Sequence, residues 1–206
     1  MTINILAHPL GKHYLSHLRD INTKPALFRT LSKKLTTLLL LQATEDLTTK
    51  NKKISTPLKK INAPYIKEQI VVIPILRAGL GMLEAATELL PDVDVGYIGL
   101  ERDEKTAIAS SYYKKFPSLK NKKIIILDPM LATGGTVLKT IETLQKEKPK
   151  SIKFVSIIAA PEGVKKINTI APDVEIYTAS LDEKLNSQKY IVPGLGDFGD
   201  RLYGTF

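Results

Sequence analysis

Five short, mostly aliphatic runs constrain this chain more than any other feature: Ile70 to Leu76, Val95 to Leu100, Ile124 to Leu127, Ile152 to Ala159 and Val174 to Tyr177. Runs of this length with little polar alternation are buried on both faces, as strands inside a parallel sheet are. Between them the apolar residues change to helical spacing. Leu80, Leu83, Ala86, Leu89 and Leu90 precede Pro91, Val137 to Lys146 follows Gly134-Gly135, and a short stretch follows Pro161 and Gly163. Strand and helix alternate four times, so the chain reads as α/β: an open, mainly parallel sheet flanked by helices on both faces. A stripe of Leu27, Leu31, Leu35, Leu38 and Leu39 within Ala26 to Leu41 adds a helical N-terminal arm. Pro74 lacks the N–H that a central ladder needs, so the ladder ends near it and Arg77 falls at the carboxyl end of its strand. In such sheets ligands bind outside the carboxyl ends.

Composition narrows the function classes. A length of 206 residues fits one domain spanning 1–206, and 43% hydrophobic with 25% charged residues is ordinary globular usage. The absence of Cys excludes disulfides, thiolate metal sites and a cysteine nucleophile. The apolar stretch Leu35 to Leu41 is broken by Thr36 and Thr37 and falls far short of the ~20 residues of a membrane span. Met1 to Leu10 lacks a basic lead and a cleavage site, so no secretory signal is expected, and the location points to the cytoplasm or an organelle stroma. The net charge of +9 comes from 25 Lys and only 5 Arg. Nucleic-acid surfaces use Arg for bidentate contacts, so scattered Lys reads as a solvated surface, with neither nucleic acid nor membrane as partner.

The chemistry concentrates at the strand ends. Asp128-Pro129-Met130-Leu131-Ala132-Thr133-Gly134-Gly135-Thr136 follows a buried strand and opens a helix. The glycines allow close backbone approach to a phosphate, the first helical N–H groups lack internal partners, and Thr133 and Thr136 add hydroxyl donors. Asp128 faces the same crevice and can accept from ribose hydroxyls. No Lys follows the glycines and their spacing is not that of a dinucleotide fold, so neither a Walker loop nor a Rossmann fingerprint is present. The plainer alternative is a turn that merely starts a helix. Arg77 and Arg102 follow two different strands, and two guanidinium forks aimed at one crevice suit a pyrophosphate; the alternative is rim pairing with nearby carboxylates. The Gly-rich tail, 182–206, interleaves Ile191, Val192, Leu195 and Phe198 with glycines. Such a loop can offer main-chain groups to a flat polar base, or be a turn-rich terminus. A second long segment, 101–121, has the length of a lid. His13 and His17 stand four apart, a metal-ligand spacing without a third ligand.

Taken in order, His8-Pro9-Leu10, Val72-Ile73-Pro74-Ile75-Leu76-Arg77-Ala78-Gly79, Asp128-Pro129 through Thr136, Ala159-Ala160-Pro161-Glu162-Gly163, Tyr177-Thr178-Ala179-Ser180 and the Gly-rich tail resemble the uracil phosphoribosyltransferases of the type I phosphoribosyltransferase fold. The Asp-Pro pair at 128 and 129 distinguishes this group from relatives with two adjacent acids. The resemblance implies transfer of a phosphoribosyl group from phosphoribosyl pyrophosphate to uracil, giving UMP, with Mg²⁺ carried on the sugar phosphate and no metal site built by the protein. It implies that Arg77 and Arg102 bind pyrophosphate, that Asp128, Pro129, Met130, Leu131, Ala132, Thr133, Gly134, Gly135 and Thr136 hold the ribose 5-phosphate, and that Ile191, Gly196, Asp197 and Phe198 contact uracil, with Asp197 also near the sugar phosphate. Arg77, Arg102 and Asp128 are then the catalytic set. It further implies a homodimer or larger homo-oligomer, with GTP as effector in some members. Residues 107–113 depart from the Pro-rich sequence expected in the lid, and Phe198 narrows the base pocket. The alternatives are an RNA-binding regulator on the same fold and an enzyme for a purine base.

Overall fold

The computed structural model describes residues 3–102 and 109–205, excluding the side chains of 101, 102 and 109–111. The chain runs β1 (Ile3–Ile5), α1 (Pro9–Arg19), α2 (Pro25–Ala43), β2 (Thr49–Ser55), β3 (Lys60–Ile66), β4 (Ile70–Leu76) and α3 (Leu80–Leu89). It continues with β5 (Asp94–Val95), β6 (Tyr97–Arg102), β7 (Ala109–Lys115), β8 (Lys123–Leu127), β9 (Met130–Leu131), α4 (Gly135–Gln145) and β10 (Ser151–Ala159). The last elements are α5 (Pro161–Ile170), β11 (Glu175–Leu181), β12 (Lys184–Leu185), β13 (Ile191–Val192) and α6 (Phe198–Tyr203).

The main sheet has the order β1-β11-β10-β8-β4-β6-β7, with β5 beside β4 and β9 beside β10. Its pairings are parallel except for the edge strand β7, which runs antiparallel to β6. Because side chains alternate across a strand, consecutive residues of one apolar run feed two different cores. Val72, Ile125, Leu127 and Val155 pack with α1, α2, α3 and α6 on one face. Val71, Ile73, Ile124, Ile126 and Phe154 pack with α4 and α5 on the other. The uninterrupted aliphatic sequence is thus the direct consequence of a sheet with no wet face.

The helix start signals are local. Proline opens α1, α2 and α5, where the missing N–H costs nothing, and the His8 imidazole caps α1 by accepting the Leu10 N–H at 3.2 Å. Pro74 sits where β4 changes partner: its ladder to β8 ends at Pro74 opposite Leu127, and the ladder to β6 starts at Ile75. At the amino end of the sheet, Lys153 is buried and donates to the Ala43 carbonyl at 2.8 Å and to Asp46 at 2.6 Å, tying α2 to β10 on the side away from the strand ends that carry Arg77 and Asp128.

One segment carries no signal in the sequence, and two differ from expectation. The polar stretch after α2 forms an antiparallel hairpin, β2–β3, whose strands are almost wholly exposed and so carry no burial pattern for a sequence to reveal. The long segment 101–121 is not a continuous loop, since residues 109–115 form β7 along β6; the rest of the lid reading falls partly on 103–108, outside the described residues. The Gly-rich tail is not wholly irregular either: β12 and β13 pair, and α6 forms beyond them.

Candidate active site

The strand order reverses between β4 and β8. From β4 the chain crosses through α3 on one face to reach β6; from β8 it crosses through α4 and α5 on the other face to reach β10 and β11. A crevice opens at such a switch point, and the two strands that border it are followed directly by Arg77 and Asp128. The Arg77–Gly79 turn is closed by Gly79 N–H to Ile75 carbonyl (2.9 Å) and Leu80 N–H to Arg77 carbonyl (3.1 Å). A Cβ on Gly79 would lie 2.4 Å from the Leu127 carbonyl oxygen, so the turn rests directly on the end of β8. Arg77 itself is exposed.

The loop after β8 is stitched along β10. Asp128 N–H donates to Val155 carbonyl (3.2 Å), and the Pro129 carbonyl accepts from Ile157 (2.9 Å) and Ile158 (3.1 Å). Pro129 is buried in this seam, whereas Asp128 stays half-buried at its mouth. Gly134 then turns the chain at φ +76°, the left-handed region that favours glycine, and α4 begins. Gly163 at the start of α5 must also be small, because a Cβ there would lie 2.4 Å from the Ala132 carbonyl. The result is a cavity of about 200 Å³ lined by Asp128, Met130, Leu131, Ala132, Thr133, Gly134, Thr136 and Val137. Above Gly135 the space is open, with Thr133 Oγ1 the nearest group at 3.9 Å from where a Cβ would be. The cavity lies at the start of α4, where the first helical N–H groups have no partner within the helix, a geometry suited to an anion.

A larger cleft of about 500 Å³ adjoins it, lined by Met130, Ala132, Ile158, Asn186 and residues 188–196. Met130 and Ala132 belong to both walls, so the two spaces are neighbours. Ile191 and Gly196, which the resemblance links to uracil, line this cleft. Asp197 is exposed and caps α6, its Oδ1 accepting the Asp200 N–H at 2.9 Å. Phe198 requires a correction. Its ring is fully buried and packs on Phe28 at 5.3 Å between centroids, so it does not narrow the base pocket, and only its main chain remains for a ligand. Arg102 ends β6 at the same edge of the sheet, with its side chain outside the described residues.

Sequence reasoning missed the residues that hold the cleft's loop. Asp182, just beyond β11, is almost completely buried. Its Oδ1 accepts from Arg19 Nη2 (2.5 Å) and Ser180 Oγ (2.7 Å), and its Oδ2 from Arg19 Nη1 (2.8 Å) and Gly194 N–H (2.9 Å). Burial alone would push this carboxyl up; the hydrogen bonds from Arg19 and Ser180 outweigh it and hold it below the usual carboxylate range. Arg201 stacks over the Phe28 ring and donates to the carbonyls of Leu18, Leu195 (2.8 Å) and Asp20 (2.6 Å), serving the unpaired end of α1. Arg29 donates to the Leu202 carbonyl at 2.8 Å. The signal was the scarcity of arginine: two of the five follow strands at the crevice edge, and the other three bind the C-terminal segment to the N-terminal helices. His13 and His17 stack edge to face at 4.8 Å, and among the described residues no three His, Cys, Asp or Glu gather as metal ligands.

A mainly parallel sheet with helices on both faces and two adjoining cavities beyond its strand ends defines an open α/β protein. A hypoxanthine-guanine phosphoribosyltransferase from Bacillus anthracis shares this fold with a TM-score of 0.51 at 17% identity, covering 77% of this chain and 80% of its own. The AQ2163 protein from Aquifex aeolicus superposes with a TM-score of 0.94 at 42% identity, over 98% of this chain and 97% of its own. The uracil phosphoribosyltransferase of Thermosipho melanesiensis is 50% identical over 207 aligned residues, spanning all of both chains. The family profile for uracil phosphoribosyltransferase matches residues 5–205, and the chain belongs to that family.

Proposed function

We propose that this protein transfers the 5-phosphoribosyl group of phosphoribosyl pyrophosphate to N1 of uracil, forming UMP and pyrophosphate. The observation that carries this reading is the shared wall of Met130 and Ala132: one nucleotide can set its phosphate in the anion loop and its base in the adjoining cleft. In the reaction the bond from the anomeric carbon to the pyrophosphate oxygen breaks with its electron pair leaving on pyrophosphate. The bond to uracil N1 forms, and the N1 proton is released.

The transition state carries positive charge on the ribose and negative charge on the leaving group. Catalysis therefore comes from positioning and from stabilising pyrophosphate, without a strong general base. Arg77, exposed at the crevice, receives the pyrophosphate together with Arg102, and Asp128 accepts from the ribose hydroxyls. The loop from Met130 to Thr136 holds the 5-phosphate. Asp128 contributes one carboxylate to the cavity wall, and one carboxylate with substrate phosphate oxygens is a normal way to hold Mg²⁺. An ion held there would offset charge on the leaving group. On the base side, the main chain around Gly194 and Gly196 reads the carbonyl and N–H edge of uracil, and discrimination against a base with the wrong edge can reach roughly 10⁴–10⁵.

The test supplies purified protein with phosphoribosyl pyrophosphate, Mg²⁺ and one base at a time. UMP from uracil is expected, with little product from cytosine or purines. Arg77→Ala should fold normally and lose roughly 10²–10³ in kcat/KM. A purine nucleotide as main product, or none from any base, contradicts the reading.

A further inference from the structure

The cleft loop is positioned by an ion pair whose two members the reaction does not otherwise use. Gly194 is held through both of its backbone groups: its N–H donates to Asp182 Oδ2 at 2.9 Å, and its carbonyl accepts from Arg19 Nη1 at 2.7 Å. The same guanidinium binds both carboxylate oxygens through Nη1 and Nη2, and Ser180 Oγ donates to Asp182 Oδ1, so both carboxylate oxygens are doubly held. Gly194 lies at φ +64°, and a Cβ there would meet the Ile191 carbonyl at 2.2 Å, so the position requires glycine. One residue on, the Leu195 carbonyl is held by Arg201. The segment pinned in this way lies between Ile191 and Gly196 on the wall of the 500 Å³ cleft.

We propose that Arg19 and Asp182 are positioning residues for the base: through Gly194 they set where the loop's main-chain groups meet uracil, and they leave the sugar-phosphate side alone. The proposal rests on the placement of uracil in this cleft. A buried ion pair is by itself weak evidence of stabilisation, and its better-attested use is to fix one arrangement among several. Here the arrangement is a loop with no regular secondary structure between β13 and α6. Arginine suits the task because its planar fork reaches a carboxylate and a carbonyl together, which the point charge of lysine does not.

The experiment measures KM for uracil and for phosphoribosyl pyrophosphate in wild type, Arg19→Lys and the milder Ser180→Ala, below their melting temperatures. Arg19→Lys should raise the uracil KM roughly 10- to 100-fold, the scale of a misplacement near 1 Å, and leave the phosphoribosyl pyrophosphate KM within about twofold. Ser180→Ala, which keeps the ion pair, should raise the uracil KM by a few-fold. Both constants moving together, or neither moving in the folded variants, overturns the proposal, because a purely structural role lowers the melting temperature without separating them. Absence of UMP in the wild-type reaction is a different failure, that of the functional reading itself.

Discussion

The candidate phosphate cavity is lined by one continuous stretch, Asp128 to Val137, which β10 and Gly163 of α5 back from behind. The cleft beside it depends on residues far away in the chain: Arg19 reaches Asp182 across 163 positions and Gly194 across 175, and Arg201 reaches Leu18 across 183. In the proposed function both regions use main-chain groups, but the first is lined by neighbours in the sequence and the second is held by contacts from α1. A helix N-terminus orients its N–H groups by its own periodicity. A loop without periodicity has to be held from outside, and charged hydrogen bonds to its backbone do that.

This contrast can be broken or sharpened by mutation. The largest effect is expected at Phe198, where truncation to Ala removes a fully buried ring packed on Phe28 and should cost about 3–5 kcal/mol in chemical denaturation. A stability within 1 kcal/mol of wild type, with only the uracil KM changed, would make Phe198 a base contact after all. Next, two glycine substitutions should separate the halves. Gly194→Ala brings a Cβ to 2.2 Å from the Ile191 carbonyl, and Gly163→Ala brings one to 2.4 Å from the Ala132 carbonyl. The first should raise the KM for uracil and the second the KM for phosphoribosyl pyrophosphate, each by roughly 10- to 100-fold. Matching changes in both constants for both variants would erase the distinction.

The smallest effect concerns acid. Arg19 and Ser180 hold the Asp182 carboxyl below its usual range in spite of burial, so the unfolded chain, with a carboxyl pKa near 3.9, takes up the proton first. The stability contributed is therefore complete above about pH 5 and is lost as the pH falls through the folded-state value. The difference in melting temperature between wild type and Asp182→Asn should shrink steadily from pH 5 to pH 3. A constant difference across that range would mean that the charge on Asp182 contributes nothing.

What the sequence displayed follows the same division. The parallel strands were legible because a sheet buried on both faces leaves aliphatic runs, and the candidate phosphate loop stood out because Asp128 to Thr136 are neighbours. The hairpin β2–β3 and the edge strand β7 were not, since the hairpin is almost wholly exposed and residues 112–115 of β7 are exposed too, so no apolar run marks them. The Gly-rich tail announced a loop without showing what holds it: Arg19 lies on a helix and Asp182 after a strand, and only the fold brings them together. Phe198 misled for a related reason. Its place beside Gly196 and Asp197 suggested the pocket, while the turn into α6 directs its ring to the core.

The most direct test of the account is a crystal structure with UMP bound. The account predicts the 5-phosphate against the N–H groups that open α4, beside Thr133 and Thr136, and the uracil ring in the cleft between Ile191 and Gly196, with Gly194 still held by Arg19 and Asp182. A base bound elsewhere, or a Gly194 released from Arg19 while the base is in place, would contradict it.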